Sequence, residues 1–446
     1  MRKWLLALPL LALCAADEAE PRKLNVVVIT ADTLRGDMVH DNAEIMTPNL
    51  DRLRSEGIEY TRAYTPITTT LPAHASLFTS LHPKDHRAYS NVAALSGAIT
   101  TLPEILRGQG WKTAAHINMP WLTSEVSNLP QGIQTARYTH IRKADKTNPW
   151  VHTWLDGAAG EDPFFLWVHY VDNHTPYHAP VTYGEMYPHQ GSPTKMRDIW
   201  GLFPPDHRDS EPFQKWVGDE PDADRFVSDY KGSVSWIDAH VGLLMHQLQQ
   251  LGEWEDTVFV FTSDHGESLG EHELWFVHAG LYEQTTHIPL IVRVPGGPEG
   301  ERVETVVSLV DVMPTVLSAL GMATPEGARG MDLVPLVGGD AGGSAYLEHT
   351  GRQLEGVVTP RFKYIKHRST NTIYSGYPMT KGTEELYDLE ADPGELRNLA
   401  DDHPEVLETM RAEMERLKSG ERGYEAEEGS IDDDVLNALH AMGYME

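Results

Sequence analysis

The apolar run Thr257-Val258-Phe259-Val260-Phe261-Thr262-Ser263 leads straight into Asp264-His265-Gly266-Glu267, and that junction constrains the fold more than any other stretch of the chain. β-Branched and aromatic residues without polar alternation read as a strand buried on both faces, the kind found in parallel sheets covered by helices. In such open sheets ligands bind beyond the carboxyl ends of the strands. An Asp-His pair at that end is placed to hold a metal ion, the alternative being a strand-end turn in which Asp caps and Gly bends.

A second buried-strand pattern, Leu24-Asn25-Val26-Val27-Val28-Ile29-Thr30, runs into Asp32. Two such strands lying side by side aim both carboxylates at one point. In Thr68-Thr69-Thr70-Leu71-Pro72-Ala73-His74-Ala75-Ser76-Leu77-Phe78, Pro72 suits the first position of a helix. That reading puts Thr70 at or next to the helix cap, where free N–H groups and the dipole favour an alkoxide or an anion. Helical periodicity over 48–56, 101–108, 225–251 and 311–320 alternates with these runs, with Pro163 to Val168 and with Ile288 to Val294. The alternation predicts an α/β fold with a mostly parallel central sheet covered by helices on both faces.

With these pieces in place, the chain resembles the sulfatase branch of the alkaline phosphatase superfamily. Asp32-Thr33-Leu34-Arg35-Gly36-Asp37 looks like the first metal motif, Pro72 anchors the nucleophile motif, and Ser263 to His272 looks like the second metal motif. Ser308 to Thr315, Gly330 to Leu336, Glu385 to Leu389 and Asp392-Pro393 follow in the same order. The resemblance covers nearly everything after residue 24. It implies the alkaline phosphatase-like fold, a divalent metal held by Asp32, Asp264 and His265, and ester hydrolysis through a covalent intermediate.

The departures from that pattern bear most on chemistry. Sulfatases carry Cys or Ser two residues before the motif Pro, oxidised to formylglycine, and Arg two residues after it; here these positions are Thr70 and His74. The only cysteine is Cys14, so formylglycine from Cys is excluded, and Thr yields no such aldehyde. A direct Thr alkoxide is what the nucleotide pyrophosphatase/phosphodiesterase and lipoteichoic acid synthase branches use on phosphoryl centres. The expected catalytic set is therefore Thr70, His74 and His174, with a plain helix cap as the alternative for Thr70. His278 stands near the position of a substrate-binding Lys in sulfatases, and in two-metal relatives a His after the Asp-His motif binds the second ion. Asp172 and His174, beyond the strand pattern Pro163 to Val168, are read as further ligands, with a non-ligating loop histidine as the alternative for His174. His178, His272 and His287 are weaker candidates. Many sulfatases have two adjacent Asp residues where this chain has Asp32-Thr33. A calcium ion wants roughly six to eight oxygens, so a site of Asp32, Asp264, His265 and Thr70 favours Zn²⁺ or Mn²⁺ over Ca²⁺, as one or two ions.

Residues 1–16 combine Met1-Arg2-Lys3 with a short apolar core and Cys14-Ala15-Ala16, the pattern of an export signal. Two fates fit: cleavage after Ala16, or a bacterial lipoprotein with lipid on Cys14 as a membrane anchor. Either predicts an exported protein, periplasmic, membrane-anchored or extracellular, and without disulfides. A formal net charge of -30 and the absence of a Lys/Arg cluster argue against nucleic acid as a partner. The expected organisation is a catalytic domain over 24–343, with a lid-like or loosely ordered insertion at 181–221. A small α+β subdomain over 344–400 and a helical, acidic tail over 401–446 follow. The function expected is a secreted metal-dependent hydrolase of small-molecule, glycan or lipid phosphate or sulfate esters. The alternatives are a phosphoethanolamine or glycerol-phosphate transferase and a catalytically silent binding protein.

Overall fold

The computed structural model describes residues 23–420 apart from 41, 140–142, 161, 178, 189–190, 192–193, 204–207, 220–221, 350–351, 371 and 375–376, and beyond 420 only Tyr424, Glu427 and Glu428. The export-signal reading of residues 1–16 and the His178 candidate lie outside the described residues. No helix among the described residues is long and apolar enough to cross a membrane.

The core is an eight-stranded sheet built from β1 (Asn25–Ala31), β2 (Ile58–Tyr60), β3 (Lys112–Ile117), β4 (Thr135–Tyr138), β5 (Phe164–Tyr170), β6 (Thr257–Thr262), β7 (Leu290–Arg293) and β8 (Glu301–Val303), in the order β8-β2-β7-β6-β1-β5-β3-β4. The helices are α1 (Pro48–Ser55), α2 (Thr70–Thr79), α3 (Leu102–Gly108), α4 (Ala144–Ala158), α5 (Ala223–Gln250) and α6 (Val312–Ala319). Val26 and Val28 of β1, with Phe165 and Trp167 of β5, pack on α2, α3 and α6. Val27 and Ile29, with Phe164 and Leu166, pack on α1, α4 and α5. Each such buried side chain contributes roughly 1.5–3 kcal/mol, and a one-residue slip would turn every one of them to the wrong layer, so register is strongly specified. The mostly parallel sheet between two helical layers is the architecture expected from the alternating pattern.

Two local differences have plain causes. β7 runs antiparallel to both neighbours, β6 and β2. A buried run reads the same in either direction, so the pattern does not encode its sense. α4 carries Pro149 in its interior, a residue that ordinarily ends or kinks a helix, so its helical state is not plain from the sequence. Its buried positions Thr147, Val151, Leu155 and Ala158 nevertheless keep the three-to-four-residue spacing of a core-facing helix.

The 181–221 insertion is exposed at Val181 and Met186 but anchored by apolar residues further on. Met196, Ile199, Phe203 and Phe213 are buried against Tyr177, Phe226 and Phe276. At the other end, β9 (Ala345–Glu348), β10 (Leu354–Val358), β11 (Phe362–His367) and β12 (Glu384–Asp388) form a four-stranded antiparallel sheet. α7 (Pro404–Lys418) lays Leu407, Met410 and Met414 on Tyr346, Val357 and Tyr364 of that sheet.

Candidate active site

β1 and β6 are adjacent and parallel, with Thr30 opposite Thr262, so Asp32 and Asp264, two residues further on, emerge level with each other. The Asp32 N–H donates to Tyr170 O at 2.8 Å. Thr33 holds φ 58°, a left-handed conformation costly for a β-branched residue. It is kept there by its N–H donating to Asp264 Oδ1 at 3.1 Å and by a hydroxyl that lies 2.8 Å from Asn173 O. Tyr230 of α5 closes the turn, its hydroxyl donating to Thr33 O at 2.7 Å and accepting from the Arg35 N–H at 3.0 Å. Thr33 thus has a structural role at the position after Asp32. Arg35 is committed to Asp37 and Glu271, at 2.7 and 2.8 Å.

Asp32, Asp264 and His265 each offer one ligand atom, all within 4.8 Å of one another and all buried. Asp264 Oδ1 accepts the N–H groups of Thr33 and His265, whereas its Oδ2 is buried with no hydrogen-bond partner among the described residues. The His265 Nδ1–H donates to Gly266 O at 3.0 Å, which leaves the Nε2 lone pair facing the cluster, 3.5 Å from Asp264 Oδ2. Two carboxylates and an imidazole converging on one buried point make a donor set that fits a divalent cation. Gly266 allows this path, since a Cβ there would overlap the Gln284 carbonyl oxygen.

Thr70 is fully buried, with Oγ1 3.5 Å from His265 Nε2. It is the first residue of α2, after Thr69 as cap, and Pro72 is the third helical residue rather than the first. The cradle of free N–H groups expected at this helix start is correspondingly smaller. Pro72 has none, and the Leu71 N–H donates to Asn91 Oδ1 at 2.9 Å. The Thr70 N–H alone carries no partner among the described residues.

The other expected residues divide. His74 is fully buried: its Nδ1–H donates to Thr70 O at 2.8 Å, and Nε2 lies 3.0 Å from Thr30 Oγ1, which accepts the Trp167 indole N–H. Burial drives its pKa down to about 3, so it is a neutral strut behind Thr70, with both ring nitrogens occupied. Asp172 departs from the expected ligand set. It shares the parity of Tyr170, which turns it to the layer of α4, and its Oδ1 accepts the Ala144 N–H that opens that helix, at 3.1 Å. Burial raises its pKa to about 7. His174 and His278 do meet, their rings 5.9 Å apart, and the His278 ring lies 4.6 Å from that of His265. His272 stacks on Tyr282 at 3.7 Å and His287 Nε2 bonds Thr61 O at 2.8 Å, so neither enters the cluster.

Three residues escaped the sequence reading. His169 Nε2 lies 3.4 Å from Asp32 Oδ2, on the same strand face as Trp167, a position that parity along β5 could have signalled. Glu267 accepts from the hydroxyls of Thr175 and Tyr177 at 2.7 and 3.0 Å, tying the His174 loop to the second motif. His349, buried and with Nδ1 lacking a hydrogen-bond partner among the described residues, follows β9, whose Glu348 bridges to Ile67, three residues before Thr70. Burial and the nearby His265 lower its pKa to about 4. No local pattern marks it, because a distant sheet delivers it.

The family model "Sulfatase" matches residues 24–322, and "N-sulphoglucosamine sulphohydrolase, C-terminal" matches 270–420. The chain is 25% identical to an arylsulfatase of Clostridium perfringens, over 90% of this chain and 96% of that protein. It is 26% identical to the multifunctional alkaline phosphatase superfamily protein PehA of Trinickia caryophylli, over 85% and 91%. Its fold matches a phosphonate monoester hydrolase of Agrobacterium radiobacter with a TM-score of 0.71 at 23% identity, covering 89% and 96%. A sheet whose central strands deliver Asp32 and Asp264-His265 beside a helix-borne hydroxyl, matched along two thirds of its length by one family model, makes this chain a member of the sulfatase family.

Proposed function

We propose that the protein is a metal-dependent hydrolase of phosphate or sulfate esters in which Thr70 is the nucleophile, with phosphate esters preferred. The observation that carries this reading is the Thr70 hydroxyl, buried on the first turn of α2 and 3.5 Å from His265 Nε2 in the Asp32-Asp264-His265 cluster. Those three side chains would hold a divalent cation, which would lower the pKa of the Thr70 hydroxyl and screen the ester's charge. The nitrogen-containing, oxygen-poor donor set favours Zn²⁺ or Mn²⁺ over Ca²⁺. Thr70 Oγ attacks phosphorus in line, the bond to the leaving alcohol breaks, and that oxygen takes a proton. Water then attacks that phosphorus, the bond to Thr70 Oγ breaks, phosphate departs, and a proton from the water restores the free hydroxyl. His174 and His278 serve as imidazole donors to the substrate's oxygens, and buried His74 holds the Thr70 carbonyl. The relatives that act on phosphonate monoesters, or are called multifunctional, support a phosphoryl preference.

Thr70→Ala should lower turnover of nitrophenyl phosphate esters by roughly 10⁴-fold or more, because no other hydroxyl replaces the nucleophile. Stability should change by no more than about 1 kcal/mol, since Thr70 is not the side-chain cap of α2. Mass spectrometry of acid-quenched wild type should find a phosphoryl group on the peptide containing Thr70. Near-normal turnover by the Ala variant, or a nitrophenyl sulfate as clearly the best substrate, would refute the reading.

A further inference from the structure

We propose that Lys363, a buried lysine of the C-terminal sheet, is a positioning residue for the hydrolytic site: it locks the Tyr282–Thr286 turn from which both the nucleophile segment and the Asp264-His265 motif hang. The proposal rests on the esterase reading above. Lys363 lies on β11 and is fully buried. Its ammonium pairs with Glu283 at 2.6 Å and Glu395 at 3.0 Å and donates to Thr286 Oγ1 at 3.2 Å. Glu395, also buried, accepts the Glu283 N–H at 2.7 Å, and the Tyr64 hydroxyl donates to Glu283 at 3.2 Å.

The inner side of the same turn carries the site. Thr286 O accepts the Thr65 N–H at 2.9 Å, at the start of the segment leading to Thr70. Thr285 O accepts the Gly266 N–H at 2.9 Å, next to His265. The relative placement of nucleophile and ligands therefore passes through backbone carbonyls of one short turn. Two of the carboxylates that fix that turn's outer side, Glu283 and Glu395, meet at Lys363, while Glu385 separately accepts the Tyr282 hydroxyl at 3.1 Å. A buried pair broken on one side leaves an uncompensated charge, so the turn has no relaxed alternative at the same position.

The test compares full-length Lys363→Met with Arg411→Met, which removes the Arg411–Glu384 pair from the far side of the same sheet. Both are assayed on nitrophenyl phosphate well below their own melting temperatures. Lys363→Met should lower kcat roughly 10- to 100-fold with KM nearly unchanged, the signature of a misplaced reacting group. Hydrogen exchange should rise roughly tenfold or more at the Thr65 and Gly266 amides. Arg411→Met should change neither. Unchanged exchange and kcat in Lys363→Met, or equal losses in Arg411→Met, would overturn the proposal. If Lys363→Met fails to fold, Glu395→Ala must show the same faster exchange at both amides, and its absence overturns the proposal too. Faster exchange in a protein whose wild type hydrolyses no ester would sink the esterase reading and leave the turn's role standing.

Discussion

Asp32, Asp264 and Asp172 all follow buried strands, yet they do different things, and the reason is parity and register. Asp32 and Asp264 follow neighbouring strands in step, whereas Asp172 is turned toward α4. Asp264→Asn and Asp32→Asn should each lower bound metal, measured by elemental analysis of the folded variants, because a neutral amide replaces an anionic ligand. Asp172→Asn should leave metal content intact. The amide oxygen still accepts the Ala144 N–H and no charge needs burying, so at pH 8 its melting temperature should equal or exceed that of wild type. The two primary carboxylates were legible because apolar runs announce strands and their ends. Asp172 was misread because proximity in sequence to a strand end does not say which face a side chain takes.

At the scale of elements, α2 illustrates both what a pattern tells and what it hides. Pro72 marked the helix correctly but not its first residue, since the Thr70 and Leu71 positions were already helical. The surroundings of α2 carry a pH signature that composition does not reveal. Burial pushes His82 and His86 down to about 3, as it does His74. His86 Nδ1 accepts the Ala88 N–H at 3.1 Å and its Nε2–H donates to Ser76 Oγ at 3.0 Å, so protonation would break a bond. The folded pKa lies below the unfolded value of 6.5, so the unfolded chain binds more protons as pH falls. Stability is complete above that value and is lost toward pH 3, by about 1.4 kcal/mol per pH unit for each such histidine. Thermal melts from pH 7.5 downward should show a steep decline beginning near pH 6.5, and a shallower one in His86→Gln.

For the molecule as a whole, the formal charge of -30 acts on any anionic ester that approaches it. Repulsion is screened as the Debye length shrinks from about 30 Å at 0.01 M salt to about 8 Å at 0.15 M. kcat/KM for nitrophenyl phosphate should therefore rise over that range, and rise more for the doubly charged monoester than for a diester. A fall with added salt would point to a cationic funnel at the mouth instead. Charge was fully legible in the sequence, as was the α/β class. The contribution of the C-terminal sheet was not, because Lys363 and His349 reach the site only through contacts between distant segments.

β1 is the middle of the site, and one of its two neighbours, β6, begins only at Thr257. Until that stretch has left the ribosome, one full edge of Val26–Thr30 has no partner, and the first carboxylate has nothing to face. An open apolar edge of this kind recruits other chains. High contact order also makes the closing step slow. The architecture that aligns Asp32 with Asp264 thus makes the growing chain a client for chaperones, and a fragment ending before Thr257 should aggregate rather than fold to half an enzyme.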